Sequence, residues 1–305
     1  MKKLLLLLIL VLTACSTLPQ AEVEGNVDLK NLQPLPPPKG HEAIPLRIAV
    51  AAVISPEGTV QSYSPFLVYL EEKLNRPVEL IQRRTYREIN DLIEHGEVDV
   101  AFVCTSAYVE GRDTFGLELL VAPRVNNKTT YNSVLIVSSS SKAQSISDLR
   151  GKVFGFTDPI SLSGRVYPTY LVHQLGFTPE EFFSRTFFTY SHDEAIRAVA
   201  SGVADGAAVD SLVYEYAIAR DPSLAEKTKI IHRSPDFGIP PVVISPLTRP
   251  QVKADLQSLL LEMSSDPNAQ DALSSIGVQS FVVIEDSAYD GVRELLDIIP
   301  IPNLP

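Results

Sequence analysis

Cysteine is nearly missing from this chain: its 305 residues hold two, Cys15 and Cys104. Neither shows zinc-ligand spacing. Cations are scarce as well, with 26 Lys and Arg against 37 Asp and Glu and a net charge of −11. That imbalance excludes nucleic acid as a partner. An acidic body that binds an anion must do so through local dipoles aimed into a cleft, against its own long-range field. After the apolar run Leu4 to Leu12, no segment approaches the ~20 apolar residues of a membrane helix. No Ser-His-Asp elbow, metal constellation or Walker-type loop is present, and Cys104 ends an apolar strand with no histidine nearby in sequence. Enzymatic turnover, cofactors and metal are therefore not expected.

What is there begins with an address. Met1-Lys2-Lys3 and the run to Leu12 form a charged start and a short hydrophobic core, an export signal over residues 1–14. Leu12-Thr13-Ala14-Cys15 resembles the lipobox of bacterial lipoproteins, in which Cys15 becomes the acylated N-terminus. Loss of Lys2 and Lys3 with the signal takes the net charge to −13 and leaves Cys104 as the one thiol. Residues 15–44 are poor in aromatics and contain Gln33-Pro34-Leu35-Pro36-Pro37-Pro38, which favours an extended tether. The rest carries ample apolar material for a core.

Within that body, Arg47 to Val53 reads as a strand covered on both faces, followed by a helix opening at Ser64-Pro65 and a second strand over Val78 to Ile81. Tyr86 to His95 reads as a helix ended by Gly96, then a strand from Glu97 to Val103. His192 to Ser201 reads as a helix ended by Gly202, then a strand from Val203 to Val209. Gly-x-[Val/Ala]-Asp-x-Ala recurs at Gly96 to Ala101 and Gly202 to Ala207, so two analogous α/β lobes are expected. Asp99 and Asp205, at the strand starts, read as structural. Ser133 to Val137 and Gly238 to Ile244 are the expected crossings between lobes. A helix over Arg249 to Met263, a short strand over Phe281 to Ile284 and a helix over Ser287 to Ile298 fold back on the first lobe. Lobe 1 then comprises residues 45–133 and 241–305 and lobe 2 residues 134–240, with a cleft that can close on a ligand.

The segment Phe156-Thr157-Asp158-Pro159-Ile160-Ser161-Leu162-Ser163-Gly164 is a strand emptying into a hydroxyl-rich, glycine-closed loop that starts a helix. Free N–H groups at a helix start carry partial positive charge, and Ser161 and Ser163 add O–H donors, so the loop can hold a small oxyanion without a cation. The same residues also serve ordinary capping and turns.

With Tyr86 before the Gly96 unit, Tyr131-Asn132-Ser133-Val134-Leu135-Ile136-Val137, the Asp158 to Gly164 loop and Ser191-His192-Asp193-Glu194-Ala195 in this order, the chain resembles the phosphate, phosphite and phosphonate binding proteins of ABC importers. The resemblance covers nearly the whole mature body. It implies an α/β, two-lobed periplasmic-binding-protein-like fold of type 2, each lobe a mixed sheet flanked by helices with the ligand cleft at the hinge. Ser161, Ser163 and the backbone from Leu162 onward would donate to phosphoryl oxygens; a threonine usual at the place of Leu162 is missing. His192 would donate from a helix start fixed by a Ser191–Glu194 capping box. Tyr86 and Tyr131 would reach across from lobe 1, with Ser106 and Tyr108 as weaker candidates; as an alternative, both tyrosines simply pack. A glycine often stands at the place of Cys104 and a proline at that of Thr105, which implies a differently shaped loop here. Asp210 corresponds to an acidic position facing ligand in aminoalkylphosphonate binders. The second carboxylate of such clefts has no clear counterpart, since Asp236 is displaced, so phosphate, phosphite or a methylphosphonate is favoured.

The implied function is capture of a small phosphorus oxyanion outside the cytoplasm and delivery to an ABC permease, by a monomer held to a bacterial membrane through a lipid on Cys15. A sensing lipoprotein signalling to a membrane partner such as a histidine kinase is the alternative.

Overall fold

The computed structural model describes residues 44–301. The expected signal segment, Cys15 and all but the end of the tether lie outside the described residues. The first sheet takes β1 (Leu46–Val50), β2 (Val78–Gln82), β3 (Val100–Phe102) and β4 (Glu118–Arg124), with β12 (Val242–Ile244) and β13 (Ser280–Val282) returning late in the chain. Its order is β13-β4-β12-β3-β1-β2; β1 runs parallel to β2 and β3, and β12 is antiparallel to β3 and β4. The second sheet holds β6 (Ser133–Ser138), β7 (Val153–Phe156), β8 (Arg185–Phe188), β9 (Gly206–Asp210) and β10 (Thr228–Arg233) in the order β10-β6-β9-β7-β8. Again a parallel trio, β8-β7-β9, is extended by an antiparallel strand, β6. The fold is thus mixed α/β and two-lobed.

Alternation of side chains explains why both sheets are covered on both faces. Val134 and Ile136 meet Ile196 and Val199 on one face of the second sheet, while Leu135 and Val137 join Phe154 and Phe156 on the other. In the first sheet, Ile48 and Val100 pack with Phe66 and Leu70, whereas Ala49 and Ala101 face a cluster that includes Tyr86, Tyr131 and Leu162. That last cluster draws on both lobes.

The flanking helices that matter for the cleft are α1 (Pro56–Leu74), α2 (Tyr86–Glu94), α3 (Thr105–Phe115), α4 (Tyr167–Gln174), α5 (His192–Ala200) and α6 (Ser211–Arg220). Helix α1 corrects the sequence reading. It begins at Pro56, not at Pro65, so Pro65 lies inside the helix and the Ser64 hydroxyl donates to the Val60 carbonyl one turn back. Ser55-Pro56 carries the same start signal as Ser64-Pro65 and comes first. The repeated Gly-Asp motif sits in equivalent places: Gly96 and Gly202 adopt φ of 68° and 76° after α2 and α5. Asp99 Oδ2 accepts the Arg47 N–H at 2.9 Å and Asp205 Oδ2 the Val153 N–H at 2.8 Å. Each carboxylate ties its strand start to the neighbouring parallel strand, a structural role.

Between the sheets, β5 (Thr130–Tyr131) and β11 (Phe237–Gly238) form an antiparallel ribbon pairing Tyr131 with Phe237. The crossings therefore precede β6 and β12. Beside the ribbon, Ser133 N–H donates to Ser234 Oγ and Ser234 N–H to the Ser133 carbonyl, both at 2.9 Å.

Candidate ligand-binding cleft

The hydroxyl-rich loop is built by its own side chains. Asp158 Oδ1 accepts the Ile160 N–H at 2.9 Å, and Ser161 Oγ accepts the Gly164 N–H at 3.1 Å. The Ser161 carbonyl takes both the Arg165 and Val166 N–H groups, winding Leu162–Val166 into a π turn that runs into α4. At the first positions of such a turn, Leu162 and Ser163 have N–H groups with no acceptor inside it. Gly164 is required by space: a Cβ there would stand 1.8 Å from Thr157 Oγ1. Thr157 Oγ1 is itself buried without a partner. Arg165, the loop's own cation, lies over the Phe156 ring and donates to Thr169, so the loop presents neutral donors.

His192 opens α5 behind the Ser191 cap, and its ring is 2% exposed. The Asp210 N–H donates to His192 Nδ1 at 3.0 Å, which places the ring proton on Nε2. Burial pushes its pKa down to about 3, so the ring is a neutral donor of fixed tautomer. The expected capping box is only half formed. Ser191 Oγ accepts the Glu194 N–H, but the Glu194 carboxylate turns outward to Arg197 and the reciprocal bond is not made. Asp210 caps α6 through Oδ1, which accepts the Leu212 and Val213 N–H groups. Burial lifts its carboxyl to about 7, against the pull of those bonds. Near neutrality such a group can donate as an acid or accept as an anion.

Across from these, Tyr86 and Tyr131 are 1% and 2% exposed, and neither phenol oxygen has a hydrogen-bond partner. Cys104 and Asp210 are neighbours of both phenols, and Tyr131 also stands beside the Thr105 and Ser163 hydroxyls. Burial holds both phenols well above their ordinary pKa, so they are O–H donors.

The structure thus brings Tyr86, Tyr131, Ser161, Leu162, Ser163, His192 and Asp210 to one place. The Ser106 hydroxyl lies at its edge, 3.6 Å from the Cys104 sulfur, and the Tyr108 hydroxyl is not brought there. Ser106 donates to the Ile160 carbonyl and so links α3 to the loop, while Tyr108 points away to Asp286, its ring tilted against that of Tyr289. Two residues apart on a helix, these side chains cannot share a face.

Asp158 was legible as part of the loop but not as a lobe-to-lobe contact. Its Oδ2 accepts the Tyr86 N–H at 3.1 Å, placing a carboxylate at the N-terminus of α2. Nothing local in sequence marks a bond between residues so far apart. Burial lifts this carboxyl to about 6. Ser55 N–H to Asp193 Oδ1 and His192 N–H to the Val53 carbonyl, both 2.9 Å, also join the lobes.

A cavity of about 350 Å³ lies beside this cluster, lined by Val53, Tyr63, Phe102, Val213, Tyr216 and Pro241 among others. Of the converging polar residues it touches Asp210 alone, and its walls are mainly apolar. The donors, not this cavity, mark the candidate site. Among the described residues no cluster of His, Cys, Asp and Glu could hold a metal, and no helix is long and apolar enough to cross a membrane.

Comparison with known proteins identifies relatives of this fold. The phosphate-import protein PhnD of Mycolicibacterium smegmatis is 23% identical over 279 residues, covering 84% of this chain and 87% of that protein. A binding protein component of an ABC phosphonate transporter from Pseudomonas aeruginosa superposes with a TM-score of 0.78 at 22% identity, over 85% of this chain and 90% of its own. PhnD1 from Prochlorococcus marinus, solved with methylphosphonate, gives a TM-score of 0.75 at 19% identity over 84% and 98%. These likenesses show the periplasmic binding protein fold. A family model described as ABC transporter, phosphonate, periplasmic substrate-binding protein matches residues 48–289, and this chain belongs to that family.

Proposed function

We propose that this chain captures a small phosphorus oxyanion, such as phosphate, phosphite or a phosphonate, between its lobes and delivers it to the permease of an ABC importer. One observation carries the reading: two buried tyrosine hydroxyls without partners share a cluster with the hydroxyl-rich loop, and a neutral histidine donor is fixed against their neighbour Asp210. Such an array suits a compact anion on an acidic body, because uncharged dipoles act at short range where the global field is opposed. Ser161, the Ser163 hydroxyl and N–H, His192, Tyr86 and Tyr131 are the donors, while the Leu162 N–H is turned to the Cys104 sulfur. Asp210 shares a proton with one ligand oxygen. Residues 45–133 with 241–305 and residues 134–240 act as the two closing bodies. The protein catalyses no turnover and works as a monomer outside the cytoplasm. Residues 1–14 direct export, Cys15 carries the lipid and residues 15–44 are the tether.

Calorimetric titration with phosphate, phosphite, methylphosphonate and aminoethylphosphonate tests the reading. At least one binds, and Ser161→Ala with Ser163→Ala weakens it by about 1 to 3 kcal/mol, the scale for hydrogen bonds to a charged acceptor. Absence of binding by all four, or tighter binding of sulfate, refutes it.

A further inference from the structure

Cys104 caps the N-terminus of α3 and is 4% exposed. The residues after it are pinned on two sides. Thr105 Oγ1 donates to the Gly238 carbonyl at 2.9 Å in the hinge ribbon, and Ser106 donates to the Ile160 carbonyl in the opposite lobe. The thiol is therefore held in place, with its sulfur 3.6 Å from Ser106 Oγ. The backbone N–H groups of Leu162 and Ser106 turn toward that sulfur, and both partnerless phenols, Tyr86 and Tyr131, have it as a neighbour. Donors from both lobes thus surround one sulfur atom.

A thiol differs in kind from those donors. It is a weak donor on a long, polarisable bond, and it accepts apolar contact readily. An oxyanion oxygen turned toward it exchanges a strong bond to water for a poor one. A P–H or P–CH3 group turned toward it gives up no hydrogen bond. We infer that Cys104 is the selectivity residue of the cleft: its thiol faces one vertex of the tetrahedral phosphorus and favours ligands carrying hydrogen or methyl there, over phosphate. The three remaining oxygens fall to the hydroxyls, the loop N–H groups and His192. This rests on the oxyanion reading of the same site.

The test titrates the wild-type chain, Cys104→Ser and Cys104→Ala with phosphite, methylphosphonate and phosphate. The wild type binds phosphite or methylphosphonate at least about tenfold tighter than phosphate, the ratio expected for one good hydrogen bond. Cys104→Ser supplies a hydroxyl and shrinks that ratio by about tenfold, whereas Cys104→Ala preserves it. If none of the three binds the wild type, the oxyanion reading itself fails. If they bind but phosphate is preferred, or the serine variant leaves the ratio unmoved, the role of Cys104 is refuted and the site stands. A second measurement needs no variant: saturating phosphite slows alkylation of Cys104 by N-ethylmaleimide in the wild-type chain, and equal rates with and without phosphite overturn the proposal.

Discussion

Replacing Tyr131 by phenylalanine separates stability from binding, because the hydroxyl removed has no partner within the chain. The ring stays, and so does its packing in the cluster shared by the lobes. A buried hydroxyl without a hydrogen bond costs about 1 to 3 kcal/mol, so its removal stabilises the fold by up to that amount. For a body of this size each kcal/mol moves Tm by roughly 2 to 4 °C, and the expected rise is about 2 to 12 °C. Binding moves the other way. A hydrogen bond from the phenol to a charged oxygen contributes about 1.5 to 3 kcal/mol, so affinity falls by roughly 10- to 150-fold. Tyr86→Phe behaves alike. Tyr108→Phe is the control, since its hydroxyl donates to Asp286, which Arg293 also holds; this variant loses about 1 kcal/mol of stability and keeps its affinity. Calorimetry and a thermal melt on the three variants decide the matter. Affinities of Tyr86→Phe and Tyr131→Phe within twofold of the wild type, or a lowered Tm in both, would refute the assignment of these hydroxyls to the ligand.

Gly164→Ala drives a methyl group to within 1.8 Å of Thr157 Oγ1, where ordinary contact begins near 3.4 Å. The loop must shift, lowering stability by about 1 to 3 kcal/mol and binding by more than tenfold, and Thr157→Gly in the same chain restores part of both; thermal melts and titration of the double mutant read this. Acid should destabilise the fold through His192. Its folded pKa of about 3 lies below the ordinary 6.5, so its contribution is complete above pH 6.5 and is lost as pH falls toward 3. His192→Gln flattens that part of the stability profile in urea titrations across pH, and an unchanged slope contradicts a buried neutral ring.

The sequence made the lobes legible through punctuation. Gly96 and Gly202 end equivalent helices, and Asp99 and Asp205 begin equivalent strands, because the same turn and the same seam need the same residues in both places. The anion loop was readable for a similar reason: its hydroxyls, its glycine and its helix start are neighbours in sequence. Convergence was not readable. The Asp158 bond to Tyr86 and the position of Cys104 among donors from both lobes depend on pairing between distant segments. Local signals also misled where two candidates competed, as Ser55-Pro56 did with Ser64-Pro65 at α1, and where Arg197 drew Glu194 away from its cap.

The paired bonds between Ser133 and Ser234 mean that the second sheet, with its helices, enters and leaves the molecule through a single doorway. Everything between those two serines is a cassette, closed at its base by one backbone bond and one bond to the Ser234 hydroxyl and carrying both the hydroxyl-rich loop and His192. Exchanging such a cassette for that of a relative leaves the receiving ends adjacent, so the loop and His192 can be transplanted without redrawing the remainder of the chain. The half left behind contributes the tyrosines and the thiol, and a hybrid would report directly which half sets the choice of anion.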